Sequence, residues 1–317
     1  MDEQNLPSLS YKVAAYITAY KSKEAVEACI SSIQNQSYSV KELVIVDNSV
    51  QPLLVNQAQQ LNYPILIWHY PDNIGVAGGL VLAIQWSIAQ GYDFLWTFDQ
   101  DSTPEPDCLS QLLQVFAQLS EQNISVGMIA PTAIDTRTGE VIQPANFCQD
   151  HFQGFKPKVA TAPFECDAPI TSGCLIALKA AQLVAPPDQR LFIDAVDLEF
   201  GLRLKQAAFH NFVVPSATLN HHFGTPKVAN FLGQKKVIQV YSGLRHFYIS
   251  RNYTYLELKF SRGAYKITCG LKRIKRLLSA IVKILLFDPE QKIQKVYACL
   301  LGTWDGFTGN LNRKWIP

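Results

Sequence analysis

Short apolar runs without helical period recur through the N-terminal third of the chain: Val13–Thr18, Glu42–Asp47, Ile65–Tyr70 and Phe94–Asp99. Helix-spaced apolar residues follow the first run (Val26, Cys29, Ile30, Ile33) and the third (Leu80, Ala83, Ile84, Ile88). Continuous β-branched runs mark strands covered on both faces, and strands alternating with helices predict an α/β fold with a mostly parallel central sheet. Three of the runs end on polar residues: Thr18, Asp47, and Asp99 with Asp101. Ligands of open α/β sheets bind outside the carboxyl ends of the strands, so these side chains are expected to converge on one cleft.

The fourth run carries the sharpest chemistry. Phe94-Leu95-Trp96-Thr97-Phe98-Asp99-Gln100-Asp101-Ser102 delivers two carboxylates, one residue apart, to a strand end. Mg2+ and Mn2+ seek oxygen ligands and are commonly held by one or two carboxylates together with substrate phosphates. The segment therefore reads as a site for a metal and a phosphorylated ligand. Ser102-Thr103-Pro104-Glu105 offers a capping hydroxyl, a first-turn proline and an acid, which predicts a helix just past the carboxylates.

Around it, Asn73-Ile74-Gly75-Val76-Ala77-Gly78-Gly79 is a glycine-rich helix start, suited to close backbone packing or to amides near a ligand, and Gly91 reads as its C-terminal stop. Val126–Ala130 reads as a further strand, and residues 131–170, with five prolines, as an irregular excursion. The small residues Thr171-Ser172-Gly173 open another strand, where either a substrate approaches or packing is tight. Asp194, Asp197 and Glu199 fall at the start of a helix that buries Leu198 and Leu202. The pair His221-His222 follows the strand-like Phe212–Val214, and metal ligation by it gains weight only from the aspartates.

The formal charge of +2 conceals a division. Residues 1–225 hold 11 Lys and Arg against 22 Asp and Glu, whereas residues 226–317 hold 17 against 4. A catalytic region over 1–225, split at about residue 130, and a helical basic region over 226–317 are expected. Seven cysteines without a C-x-x-C pair argue against a zinc module or a disulfide framework. The polar stretch Met1–Ser10 does not resemble a signal peptide, and a cytoplasmic location is expected.

In order and spacing, Asp47-Asn48-Ser49, Asn73-Ile74-Gly75, Asp99-Gln100-Asp101-Ser102, Phe192–Asp197 with Arg203, and His221 resemble the motifs of family 2 glycosyltransferases. They are most similar to those of bacterial rhamnosyltransferases that use dTDP-L-rhamnose to build surface polysaccharides. The resemblance spans about residues 11–252 and implies a GT-A type nucleotide-sugar-binding fold, a divalent cation (Mg2+ or Mn2+) and inversion at the anomeric carbon. It assigns Asp47 to the nucleotide base, Thr18, Tyr20, Asn73 and Gly75 to the nucleotide pocket, Asp99 to the ribose or metal shell, and Asp101 with His221 to the metal. His222 is the alternate ligand. Asp197 matches the general base, with Asp194 second. Arg203 and Glu199 are read as a structural i,i+4 bridge.

Two departures are visible: Ala19-Tyr20-Lys21 replaces a proline-containing turn, and Val196-Asp197 replaces Glu-Asp. The Q-x-x-R-W motif of processive synthases is missing, so addition of one or a few sugars is expected. Competing readings are the same fold with a UDP-hexose or UDP-galactofuranose donor, a noncatalytic nucleotide-sugar-binding scaffold of a polysaccharide-assembly complex, and a nucleotidyltransferase. The last lacks a phosphate loop after its first strand.

Between Glu257 and Asp288 there is no acid, while Lys259, Arg262, Lys266, Lys272, Arg273, Lys275, Arg276 and Lys283 interleave with apolar residues at helical spacing. The apolar stretch falls well short of the roughly 20 residues that cross a bilayer. A basic amphipathic helix at about 259–287, holding the enzyme peripherally on the anionic inner face of the cell membrane, is expected. The alternative is a helix packed on the catalytic part with its lysines in water. Arginines of Tyr241–Asn252, Arg251 among them, are candidates for a phosphate of the donor or of a lipid-linked or polysaccharide acceptor. No nucleic-acid motif accompanies the charge, and self-association through the tail stays open.

Overall fold

The computed structural model describes residues 10–54, 63–155, 161–222, 226–231 and 234–315. The N-terminal leader reading up to residue 9, Pro157 of the excursion, Phe223-Gly224 after the histidine pair, and the boundary at residue 225 lie outside them.

Strand β1 (Val13–Ala19), helix α1 (Lys23–Gln34), strands β2 (Glu42–Asp47) and β3 (Ile65–His69), helix α2 (Gly75–Ala89) and strand β4 (Phe94–Asp99) follow the expected alternation. Ser22 caps α1 by accepting the Ala25 N–H, and Gly91, at φ +72°, follows the end of α2. Next come β5 (Ser102–Pro104), α3 (Cys108–Glu121), β6 (Val126–Asp135), the hairpin β7 (Ala145–Cys148) and β8 (His151–Gly154), β9 (Phe164–Cys166), β10 (Leu175–Ala177), the short α4 (Leu178–Ala181), α5 (Val196–Gln206) and β11 (His210–His221).

Apart from the separate β7–β8 hairpin, these strands form one sheet in the order β3-β2-β1-β4-β10-β6-β11-β5, with β9 also on β11. It is parallel through its first four strands and mixed beyond, because β10 runs antiparallel between β4 and β6. The core centres on β1, β2 and β4, whose residues are almost wholly buried, as their unbroken apolar runs require, and α1, α2, α3 and β6 pack against them.

Two expectations need correction. Residues Ser102–Pro104 do not start a helix; they pair with Leu219–His221 of β11, and α3 begins at Cys108. The Ser102 hydroxyl is engaged across the sheet and is not available as a cap. Residues 131–170 are also less irregular than their prolines imply: β6 runs to Asp135 and the β7–β8 hairpin folds against the body.

The C-terminal region opens with the hairpin β12 (Pro226–Phe231) and β13 (Gln234–Gln239), then helices α6 (Gly243–Phe260), α7 (Tyr265–Phe287) and α8 (Lys292–Thr308). The basic segment is thus two helices, broken at Ser261–Ala264, where Gly263 takes φ +53°. Helix α8 lies flat on α6, and a side chain at Gly302 would strike the Phe247 carbonyl, one at Gly306 the Arg251 carbonyl and Thr254. Charges tie the region to the rest: Lys272 Nζ lies 2.7 Å from Asp150, Lys259 Nζ 3.4 Å from Glu199, and Glu257 accepts the Phe152 N–H at 3.0 Å and pairs with Arg273 and Arg276.

Candidate active site

The strand ends converge as expected. An open cleft of about 1500 Å³ lies beyond β1 and β4, lined by Thr18, Tyr20, Asn73, Gly75, Asp99 and Asp101 from the N-terminal half and by Asp194, Asp197 and His221 from the later elements. Helices α6 and α7 contribute Arg245, Tyr253, Leu278 and Val282 to its far wall.

Asp99 closes β4, and Asp101 sits in the turn that carries the chain across to β5. Register then decides the third partner. Ser102 pairs with His221, so His221 comes to the acids, its Nδ1 3.5 Å from an Asp101 carboxylate oxygen. Ligand atoms of Asp99, Asp101 and His221 all lie within 4.8 Å of one another. Two hard carboxylates with an imidazole suit a divalent cation such as Mn2+ or Mg2+. A hydroxyl chain supports the group from behind: Ser172 Oγ accepts the Asp99 N–H at 3.0 Å, Ser102 Oγ meets Ser172 Oγ at 2.6 Å, and Ser102 Oγ meets His221 Nδ1 at 2.6 Å. Such second partners fix the orientation of metal-binding side chains. Burial pushes the Asp99 carboxyl up to about 6; His221 opposes this and Asp101 adds to it.

The loop before α5 is a strained turn. Phe192, Asp194 and Ala195 all take φ +65°, in the left-handed region that side chains disfavour. Asn252 of α6 holds them: its Nδ2 donates to the carbonyls of Leu191, Ile193 and Asp194, each at 2.9 Å. On the other side Gly75 packs against Phe192, whose carbonyl accepts the Ala77 N–H at 3.0 Å. Close packing therefore accounts for Gly75 in its left-handed conformation, while the residue also borders the cleft. Asp197 follows in the first turn of α5, half-buried, and accepts the Leu198 N–H at 2.9 Å. Burial pushes its carboxyl up to about 6 against that hydrogen bond, with Asp194 and Asp99 adding to the rise. Asp194 is tied to Arg245 in a two-point ion pair. The expected bridge is also present, with Arg203 Nε 2.7 Å from Glu199.

Three named residues do not line the cleft. Asp47 is buried, its two oxygens accepting the N–H groups of Ser49 (2.9 Å) and Leu53 (2.7 Å); its neighbour Asn48 borders the cleft instead and accepts the Ile74 N–H. His222 is exposed and turned to Thr136, its N–H bonded to the Asp101 carbonyl, so the strand register selects His221 as the ligand candidate. Arg251 is a correction. It is fully buried, with its donors on the Asn252 side-chain oxygen and the carbonyls of Arg190, Leu191, Leu311 and Arg313, so it meets no phosphate.

Gln100, Ser172, Asn252 and Arg245 carry no individual role in the sequence motifs, yet all four shape the site. Gln100 clamps the turn after β1, its amide accepting the Tyr20 N–H at 2.6 Å and donating to the Tyr20 carbonyl at 2.9 Å. Its position between the two aspartates was the one local signal. Of Thr171-Ser172-Gly173, the first two border the cleft, whereas Gly173 is a packing point against Pro131 and Leu219.

Residues 15–168 match the family model described as Glycosyl transferase family 2. The chain is 23% identical over 308 residues to the dTDP-rhamnosyl transferase RfbF of Shigella flexneri, covering 95% of this chain and 97% of that protein. It is 22% identical over 258 residues to the galactofuranosyltransferase GlfT1 of Mycolicibacterium smegmatis, covering 77% and 82%. Among solved structures, GalNAc-T7 with UDP, GalNAc and Mn2+ superposes with a TM-score of 0.59 at 13% identity, over 97% of this chain but only 57% of that one. Residues 1–349 of S. aureus TarS superpose with a TM-score of 0.53 at 12% identity, over 95% and 82%. The fold is thus of the GT-A type, residues 15–168 carry the glycosyl transferase family 2 match within a sheet that continues to β11, and the protein is a glycosyltransferase.

Proposed function

We propose that the protein moves L-rhamnose from dTDP-L-rhamnose, with inversion, to a lipid-linked or polysaccharide acceptor of the cell surface. The observation that carries the reading is the meeting of Asp99, Asp101 and His221 with the half-buried Asp197 in one cleft. RfbF, similar over nearly its whole length, supports the choice of donor. GlfT1 supports a second reading, a galactofuranose donor on the same site.

In this reading Asp101 and His221, with Asp99, would hold a divalent cation, which when bound stabilises the negative charge growing on the departing diphosphate. Thr18, Tyr20, Asn73 and Gly75 border the nucleotide, and Asp47 serves it through the loop that its carboxylate orders. Asp197 takes the proton of the attacking acceptor hydroxyl at a carboxylate oxygen. A carboxyl raised to about 6 is ionised at neutral pH yet far more basic than an exposed aspartate, as general-base work requires. Arg245 keeps Asp194 in an ion pair, which leaves Asp197 as the base. Residues 1–225 act as the catalytic part and 226–317 as a helical region resting on the cytoplasmic face of the membrane. Among the described residues no helix is long and apolar enough to cross one.

The test is nucleotide-sugar binding and nucleoside diphosphate release over dTDP-, UDP- and GDP-sugars, with and without Mn2+ or Mg2+, beside Asp101→Asn. Metal-dependent, selective binding of dTDP-rhamnose that falls at least tenfold in the variant is expected. Selective binding of UDP-galactofuranose would move the assignment to the second reading. Binding of no nucleotide sugar would leave a noncatalytic scaffold as the better account.

A further inference from the structure

Helix α8 carries an apolar stripe that points away from the protein. Ile293, Tyr297, Leu300, Trp304 and Phe307 recur at intervals of three and four residues, and all are exposed, Ile293 at 86% and Trp304 at 65%. The opposite side of α8, with Ala298, Cys299, Gly302 and Gly306, is buried on α6. The stripe is therefore not an inner face awaiting the rest of the fold, since the inner face is already used.

Helix α7 repeats the arrangement. Cys269, Arg273 and Ile284 are buried inward, while Ile267, Leu271, Ile274, Leu278 and Leu285 are exposed, Ile267 at 70%. The two stripes meet at Gly270, where an added Cβ would stand 3.8 Å from the Phe307 ring. Soluble monomers rarely present so extended an apolar face without a partner.

Charge identifies that partner. Arg262, Lys266, Lys275 and Lys283 of the same region are exposed. Asp288 and Asp305 are buried against Lys295 and Arg313, which leaves Glu290 as the exposed acid of α7, α8 and their connection among the described residues. A second copy seated on this face would bring the same cations against these. An anionic bilayer answers both features, taking the apolar stripes into its interface and its headgroups to the basic rim, with Trp304 and Tyr297 as interfacial aromatics.

We infer that the outward face of the α7–α8 hairpin is a membrane-docking surface, with the stripe of α8 as its inserting edge. This rests on the peripheral-membrane part of the proposed function and extends it beyond the basic segment to a helix without that segment's charge. Leu278 and Val282 also border the catalytic cleft, so docking on this face sets the cleft mouth at the lipid surface, where a lipid-borne acceptor would be presented.

The full chain is floated with vesicles of phosphatidylcholine alone or with added phosphatidylglycerol, beside an Ile293→Glu, Trp304→Glu double variant, with thermal midpoint and nucleotide-sugar binding measured on both. Expected are flotation with the anionic vesicles that falls at least tenfold in the variant, an unchanged midpoint, and unchanged nucleotide-sugar binding. Brominated lipid should quench a part of the emission that Trp304→Phe removes. Equal flotation of both proteins, or none of the wild type, overturns the inference. So does a wild-type dimer in sedimentation that the double variant dissociates without any vesicle binding. Failure to bind any nucleotide sugar would instead strike the donor assignment and leave the flotation result standing.

Discussion

The Asp197 carboxyl carries both a chemical and an energetic prediction. Its pKa in the fold is about 6, against roughly 3.9 for an aspartate in an unfolded chain. The native state therefore binds this proton more tightly than the unfolded state, and stability falls as pH rises from about 4 to about 6. Asp197→Asn should raise stability by about 1–2 kcal/mol at pH 8 and by less at pH 5, read by thermal unfolding at both. The same variant should cut sugar transfer by about 10²–10⁴-fold with donor binding retained, and wild-type transfer should rise through pH 6 to a plateau. Asn252 acts at one remove. Loss of its three carbonyl contacts in Asn252→Ala should cost about 1–3 kcal/mol and lower kcat more than it changes donor KM, because the turn before Asp197 loses its clamp. That Asp99, Asp101, Asp197 and His221 border one cleft was legible because each stands at or beside a strand or helix end. The burial of Arg251 was not, since it depends on carbonyls of Leu311 and Arg313, some 60 residues away in sequence.

Among the elements, buried strands were the most readable, because a run covered on both faces has little choice of residue. Strand β5 was missed for a physical reason: the serine, threonine and proline that open helices serve equally at a strand edge, and only the distant β11 decides between them. For α7 the period was plain and the packed face was not, as the buried side includes Arg273, which Glu257 compensates from another helix. Glycines divide along the same line. At Gly302 a Cβ would collide with main chain of α6, so Gly302→Ala should destabilise by about 1–3 kcal/mol in urea unfolding. At Gly270, with only the Phe307 ring 3.8 Å away, alanine should be neutral or stabilising by about 0.5–1 kcal/mol.

Over the whole molecule, the separation of acidic and basic halves has two uses that composition cannot tell apart. Lys259 and Lys272 reach Glu199 and Asp150 of the acidic part, so some of the opposed charge holds the helices on the body, while Arg262, Lys266, Lys275 and Lys283 keep theirs at the surface. The sheet imposes a further constraint, on the order in which the protein is made. Strand β10 stands between β4 and β6, yet its residues Leu175–Ala177 are translated after both, and after the last residue of the family match at 168. Until they emerge from the ribosome, the two halves of the sheet have no hydrogen-bonded seam between them. The nascent family segment must wait, with the apolar edge of β4 unpaired, for a three-residue strand from outside its own span.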